Sequence, residues 1–251
     1  MVSHCICYTK LKNGVKMKEI FLKDNQEVEL EYDILAPGIY VYRNAIPKEW
    51  NCIERIENAL SIPNTRFKWK QAGLAYGDTN LDHRRCKDFK IKEDILEPRD
   101  EYSSDMLDMH KQIMDSLKTC MSHYTSKNYL NKIDYYECIN IVRYGQGEYF
   151  KVHTDDGDPY RCTVSSVGYP NDNYAGGELY FPLFNVKHKP TAGDFVISPS
   201  AYVYAHSSEP VTDDGIKYSF VIMADRNEFA HRADSPIYHP ENIRQKHNVW
   251  C

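Results

Sequence analysis

The chemistry in this chain starts from two residues, His153 and Asp155, in the run FKVHTDDG that spans 150–157. On an extended strand, side chains two apart project to the same face, so this imidazole and this carboxylate converge on one point. With one more imidazole they form a facial triad, which holds a metal through three protein ligands and leaves three positions open. That set suits iron(II), which must then hold both an organic chelate and oxygen. His206, 53 residues on and beside the strand-like run Tyr202, Val203, Tyr204, is the best-placed third ligand. His188 competes for the place, although Lys187, Lys189 and Pro190 around it read as an exposed turn. A His-x-Asp on its own carries little information, since exposed strands contain it by chance.

Such a site needs strands from distant parts of the chain, and the sequence after Tyr135 has that texture. Short β-rich runs cover 136–144, 149–154, 161–168, 177–182, 194–198 and 218–224. Turn clusters separate them: Gly145-Gln146-Gly147, Pro170-Asn171-Asp172-Asn173 and Asp213-Asp214-Gly215. Many short strands at this spacing suggest a sandwich or a jelly roll, the architecture that includes cupins, and the expected fold is β-rich α+β with a double-stranded β-helix core. The Gly176-Gly177 pair reads as a tight turn that needs positive φ.

Ahead of that core, 38–45 (GIYVYRNA) reads as a strand with Ile39 and Val41 on one side and Tyr40 and Tyr42 on the other. Pro47 opens a helix to about Leu60, with Trp50, Ile53, Ile56 and Leu60 on one face. Ser103 or Ser104 caps a second helix to about Tyr124, whose stripe Met106, His110, Ile113, Leu117 and Met121 is core packing. Residues 72–100 lack periodicity and carry many charges, and are expected to be a lid or binding loop. Within them His83, Arg84, Arg85, Cys86 and Lys87 read as a solvated basic cluster. The whole is expected as a single domain over 1–251. Residues 1–134 supply N-terminal strands, helices and the lid, 135–226 the jelly-roll core, and 227–251 an extended tail.

Beyond His206 the pattern becomes specific. In order come His153-Thr154-Asp155, Gly176-Gly177-Glu178 with Phe181-Pro182, then His206, Pro210-Val211 and Gly215-Ile216-Lys217. Over roughly 139–225 this resembles the prolyl 4-hydroxylase-like branch of the iron(II)/2-oxoglutarate oxygenases. The resemblance implies that His153, Asp155 and His206 bind iron and carry catalysis. It implies that Lys217 pairs with the distal carboxylate of 2-oxoglutarate, where a buried dianion needs a cation. Tyr144, nine residues before His153, matches a tyrosine that hydrogen-bonds the same carboxylate. Ser219, two beyond Lys217, would add a hydroxyl, and Arg161 stands where relatives place a substrate-channel arginine. Phe150 replaces a tyrosine common in relatives. The implied reaction hydroxylates an unactivated C–H bond with O2, 2-oxoglutarate leaving as succinate, and ascorbate serving as reductant.

Composition narrows the partners. A formal net charge of −5 and no basic stripe speak against nucleic acid as the partner. Lys217 likewise speaks against the nucleic-acid dealkylases of the same fold, which anchor the co-substrate with arginines. Small-metabolite hydroxylation and a catalytically lapsed jelly-roll module remain alternatives to the expected substrate, a prolyl or other residue of a protein or peptide. Retention of every ligand type argues against a lapsed site. No stretch of about 18 apolar residues exists to cross a membrane. Eight scattered cysteines and no evident signal peptide point to free thiols and a cytoplasmic location. His4, Cys5 and Cys7 lack the second pair a zinc site requires. The sequence sets no oligomeric state.

Overall fold

A two-residue turn begins the architecture. The computed structural model describes residues 7–11, 14–63, 65, 67–74, 78–91, 101–156 and 162–226. Strand β1 (Cys7–Leu11) pairs with β2 (Gly14–Lys23), which returns through Asp24 and Asn25 into β3 (Gln26–Ala36). Both turn residues have positive φ, 50° and 64°, the backbone whose twist matches a tight hairpin and which Asp and Asn tolerate. In β4 (Ile39–Tyr42) all four residues are buried, because both faces are covered. Ile39 and Val41 pack with Tyr169, Leu179 and Phe181. Tyr40 and Tyr42 face the other way, as the alternation predicts.

The layer over Tyr40 and Tyr42 is helical. The expected single helix after Pro47 is instead a 3-10 turn (Lys48–Trp50) followed by α1 (Cys52–Ser61). Asn51 divides them in the left-handed region at φ 48°, a conformation its short polar side chain makes accessible. Helix α2 (Glu101–Lys127) places both expected capping serines inside itself. Its stripe Met106, His110, Ile113, Leu117 and Met121 is buried as expected, each apolar member contributing about 1.5–3 kcal/mol. Burial pushes the His110 imidazole down to about 4, which fits core packing and not a switchable charge. Tyr42 Oη meets His123 Nδ1 at 2.8 Å, and Tyr124 Oη donates to the Gly38 carbonyl at 2.9 Å, fastening α2 to β4.

The remaining strands are β5 (Lys70–Gln71), β6 (Arg84–Arg85), β7 (Lys87–Lys90), β8 (Tyr135–Tyr136), β9 (Asn140–Tyr144) and β10 (Tyr149–His153). After them come β11 (Val164–Tyr169), β12 (Leu179–Phe181), β13 (Val186–His188), β14 (Asp194–Pro199), β15 (His206–Ser208) and β16 (Lys217–Asp225). The larger sheet runs β1-β2-β3-β4-β14-β11-β16-β9-β7-β5, with β8 also on β16; the smaller runs β13-β12-β15-β10-β6. These two antiparallel sheets form the double-stranded β-helix, and α1 and α2 flank it. Among the described residues no helix is long and apolar enough to cross a membrane.

Three expectations need correction. Residues 72–100 are not a structureless loop: β6 pairs with β10 in the smaller sheet and β7 with β9 in the larger. Ala72, Cys86, Phe89 and Ile91 are buried there, while 75–77 and 92–100 fall outside the described residues. His188 does not sit on an exposed turn: it lies in β13, 8% exposed, with Nε2 3.6 Å from Asp194 Oδ2. Tyr202–Tyr204 is a 3-10 turn, and the strand begins at His206 itself. The side chains of His4, Cys5 and Cys7, and the tail 227–251, lie outside the described residues. Cys52, Cys86, Cys120, Cys138 and Cys162 are buried and form no disulfide.

Gly168 in β11 fits its position for want of a side chain. A Cβ there would meet Ile46 Cδ1 at 2.6 Å and Phe195 Cε1 at 2.7 Å, both in the packed core. Gly168→Ala is therefore expected to destabilise the chain by about 1–3 kcal/mol through overpacking. Urea unfolding measures this, and an unchanged midpoint would contradict the packing described.

Candidate active site

Register builds the site. β10 and β15 run antiparallel with His153 and His206 as Cα partners, so two imidazoles 53 residues apart in sequence share one edge. Asp155 follows β10 two residues on, and the ligand atoms of the three side chains lie within 4.8 Å of one another. Asp155 Oδ1 is 3.6 Å from His153 Nε2, and Oδ2 is 3.6 Å from His206 Nε2. The other ring nitrogens are pinned: His153 Nδ1 donates to the Lys151 carbonyl at 2.8 Å and His206 Nδ1 to the Tyr204 carbonyl at 3.1 Å. With the protons on Nδ1, both Nε2 lone pairs turn towards the carboxylate.

Three acceptors facing one another need a cation. Asp155 Oδ2 is buried and has no hydrogen-bond partner, as a carboxylate reserved for a metal would be. Burial pushes the Asp155 carboxyl up, but His206 and then His153 outweigh it and hold it well below the usual carboxylate range. Burial lowers the His206 imidazole against the pull of Asp155, keeping it neutral and able to ligate at pH 7. Two imidazoles and one carboxylate thus fit the iron(II) that the residue types suggest. Phe150 stacks on His153 at 3.5 Å between ring centroids and 12° between planes, shielding that ligand.

A single cavity joins His153, Asp155 and His206 to Tyr144, Lys217 and Ser219. Alternation along β16 explains this: Lys217, Ser219, Val221 and Met223 face inward, and Tyr144 on β9 is the Cα partner of Lys217. Lys217 is 1% exposed. Its Nζ donates to the Gly177 carbonyl at 2.8 Å and to Ser208 Oγ at 2.7 Å, which leaves one donor for a ligand. The rings of Tyr144 and Tyr169 stand 4.9 and 5.4 Å from the ammonium. Burial, then the charge of Lys189, lowers the Lys217 amine to about 7. Gly176 and Gly177 have φ of 68° and 66°, the left-handed turn expected of them.

Sequence reasoning missed several residues here. Ser208, two beyond His206 on the same face, bonds Lys217. Arg84, expected in a solvated cluster, is instead in the cavity wall. It donates Nη1 to the Gly73 carbonyl at 2.7 Å and lies 4.7 Å over the Phe150 ring, so the stack runs Arg84, Phe150, His153. The signal was an alternation in which Arg84, Asp88 and Lys90 point to the cleft, hidden because charged residues carry it. Asn140 also lines the cavity and donates Nδ2 to Asp88 Oδ2 at 3.3 Å. Arg161 lies outside the described residues.

Residues 139–223 match the model of the 2OG-Fe(II) oxygenase superfamily. No curated protein matches the chain. Among solved structures, a prolyl hydroxylase from Trichoplax adhaerens, in complex with a hypoxia inducible factor oxygen degradation domain peptide fragment, superposes with a TM-score of 0.56 at 16% identity. The match covers 75% of this chain and 84% of that one. A Pseudomonas putida prolyl-4-hydroxylase superposes with a TM-score of 0.53 at 18% identity, covering 76% and 94%. These likenesses establish the fold, while the matched segment is the one that holds all three facing ligands and Lys217. Residues 139–223, the segment that carries the three converging ligands and Lys217, are thus similar to the 2OG-Fe(II) oxygenase superfamily, on a fold shared with prolyl hydroxylases.

Proposed function

We propose that this chain is an iron(II)- and 2-oxoglutarate-dependent dioxygenase that hydroxylates a prolyl or other residue of a protein or peptide. In this reading iron(II) is held by His153, Asp155 and His206, and 2-oxoglutarate by Lys217, Tyr144 and Ser219. The observation that carries it is the shared cavity: three converging ligands at one end and a buried lysine with a spare donor at the other. When bound, iron(II) and 2-oxoglutarate supply the oxidising chemistry, O2 giving one atom to the substrate C–H and one to succinate as carbon dioxide leaves.

The chain's own groups prepare that chemistry. The Lys151 and Tyr204 carbonyls hold the imidazoles in the ligating tautomer. Lys217 meets the distal carboxylate in a site from which Tyr144, Tyr169 and Val221 exclude water. Phe150 and Arg84 close one side, and a wider cleft between β7, β9 and β10 leads from the ligands to the surface past Leu74, Asp88 and Asp156. An open cleft of this kind admits one side chain of a polypeptide whose backbone stays outside. The peptide-bound Trichoplax hydroxylase of like fold supports a peptide substrate. O2 as oxidant and ascorbate as reductant belong to the same proposal.

The test is succinate release from 2-oxoglutarate by the iron(II)-loaded chain with ascorbate, against Pro-containing peptides, free amino acids and alkylated oligonucleotides. Peptide-stimulated succinate with one added oxygen per peptide is the expected result. Stimulation by a free amino acid or an oligonucleotide alone would overturn the peptide assignment.

A further inference from the structure

Two lysines hold one glycine turn from opposite sides. From inside the barrel, Lys217 donates Nζ to the Gly177 carbonyl at 2.8 Å. From outside, Lys189, the residue after β13, donates Nζ to the Tyr174 carbonyl at 2.7 Å and the Gly176 carbonyl at 2.6 Å. The Lys189 ammonium also lies 3.7 Å from the centroid of the Tyr174 ring. That ring presses on the turn and on the lysine beyond it. A Cβ at Gly177 would meet Tyr174 Cε2 at 2.9 Å and Lys217 Cδ at 3.1 Å. From solvent to cavity the order is Lys189, the Tyr174 ring, Gly177 and Lys217.

Two adjacent glycines at positive φ have much backbone freedom to lose, and nothing in their own side chains fixes them. An ammonium bridging two carbonyls of the same turn does, through charge-assisted hydrogen bonds. We infer that Lys189 is a positioning residue for co-substrate recognition: by fastening the 174–177 turn it fixes the seat from which Lys217 presents its ammonium to the anion. The inference rests on Lys217 binding the distal carboxylate of 2-oxoglutarate, as proposed above.

Lys189 acts on Lys217 through space as well. After burial, its charge is what lowers the Lys217 amine, while Cys86 and Glu178 act in the opposite direction. The Tyr144 and Tyr169 rings face the ammonium, Tyr174 packs beyond Gly177, and Arg84, His153, Asp155 and His206 line the same cavity. Removing the Lys189 charge therefore extends the protonated range of Lys217 to higher pH even as it loosens the turn. Loss of structure alone would not produce that second effect.

The experiment titrates 2-oxoglutarate into the anaerobic, iron(II)-loaded full chain by calorimetry from about pH 6 to about pH 9. Lys189→Met, which keeps the apolar stem, is expected to raise Kd about tenfold at the acid end. In this variant the weakening of binding with rising pH sets in later than in the parent. Lys189→Arg restores both properties, and iron affinity stays the same in each variant. A Lys189→Met protein with the parent Kd and pH profile overturns the inference. A pH-independent loss that Arg does not rescue overturns it too, by reducing Lys189 to general support. Lys217→Ala is the control: if its Kd is unchanged, the co-substrate reading itself fails. A loss in Lys217→Ala with none in Lys189→Met removes only the role of Lys189.

Discussion

Asp155→Ala is expected to weaken iron(II) binding by more than about 100-fold and to abolish 2-oxoglutarate turnover, while the metal-free protein stays folded. Altering groups that merely orient a ligand costs about 10–100-fold in metal affinity, so deleting a ligand must cost more. The stability half of the expectation comes from the metal-free geometry. There the Asp155 carboxylate is buried, its Oδ2 has no hydrogen-bond partner, and two pinned imidazoles turn lone pairs towards it. Burial opposes this anion but His206 and His153 outweigh burial, so removing it costs some stability at pH 7 and leaves the fold in place. His206→Ala should match it in lost metal affinity and turnover. Competition with a chromogenic chelator reads the first half and urea unfolding of the metal-free protein the second. An Asp155→Ala protein that keeps its iron affinity, or that unfolds at much lower urea, contradicts the assignment.

The parts of this site legible in the sequence were those whose chemistry depends on spacing along one strand. His153 and Asp155 share a face because side chains alternate, and Lys217 and Ser219 share one for the same reason. The pairing of His153 with His206 was legible only as an order of motifs, because register across β10 and β15 is a tertiary fact. Arg84 was illegible for a different reason. Two short strands whose inward residues are Arg84 on β6 and Asp88 and Lys90 on β7 show no hydrophobic alternation, yet they are held by pairing with β10 and β9 and line a polar cleft. His188 misled in the opposite sense: flanking lysines suggested a surface turn, although only alternate residues of β13 face solvent. The core followed its pattern more faithfully, since Tyr40 and Tyr42 on β4 and the stripe on α2 need only a period to find one another.

Lys217→Ala is expected to weaken 2-oxoglutarate binding by about two to three orders of magnitude, and the pH dependence of binding should change with it. Truncating one partner of a buried charge pair costs about 2–5 kcal/mol, mostly from the charge left behind unpaired. Here that charge would be the distal carboxylate, in a cavity where Tyr144, Tyr169 and Val221 leave little room for water to replace the ammonium. The sign of the pH effect follows from burial, which with Lys189 lowers the Lys217 amine to about 7. Below that value the lysine is already charged and the dianion binds without a proton. Above it the lysine is neutral in the free site and must take up a proton on binding, so affinity falls by about tenfold per pH unit. Lys217→Ala should lose this slope along with the affinity. Lys217→Arg should lose the slope but keep more of the affinity, because a guanidinium stays charged while its planar fork departs from the geometry of a point donor. Iron affinity should hold in both, since Lys217 is not among the three converging ligands. Anaerobic titration of the iron-loaded protein at three pH values separates these outcomes, with proton uptake measured in buffers of different ionisation enthalpy. An Ala variant that binds 2-oxoglutarate as the parent does, with the parent's slope, would place the co-substrate anchor elsewhere in the cavity.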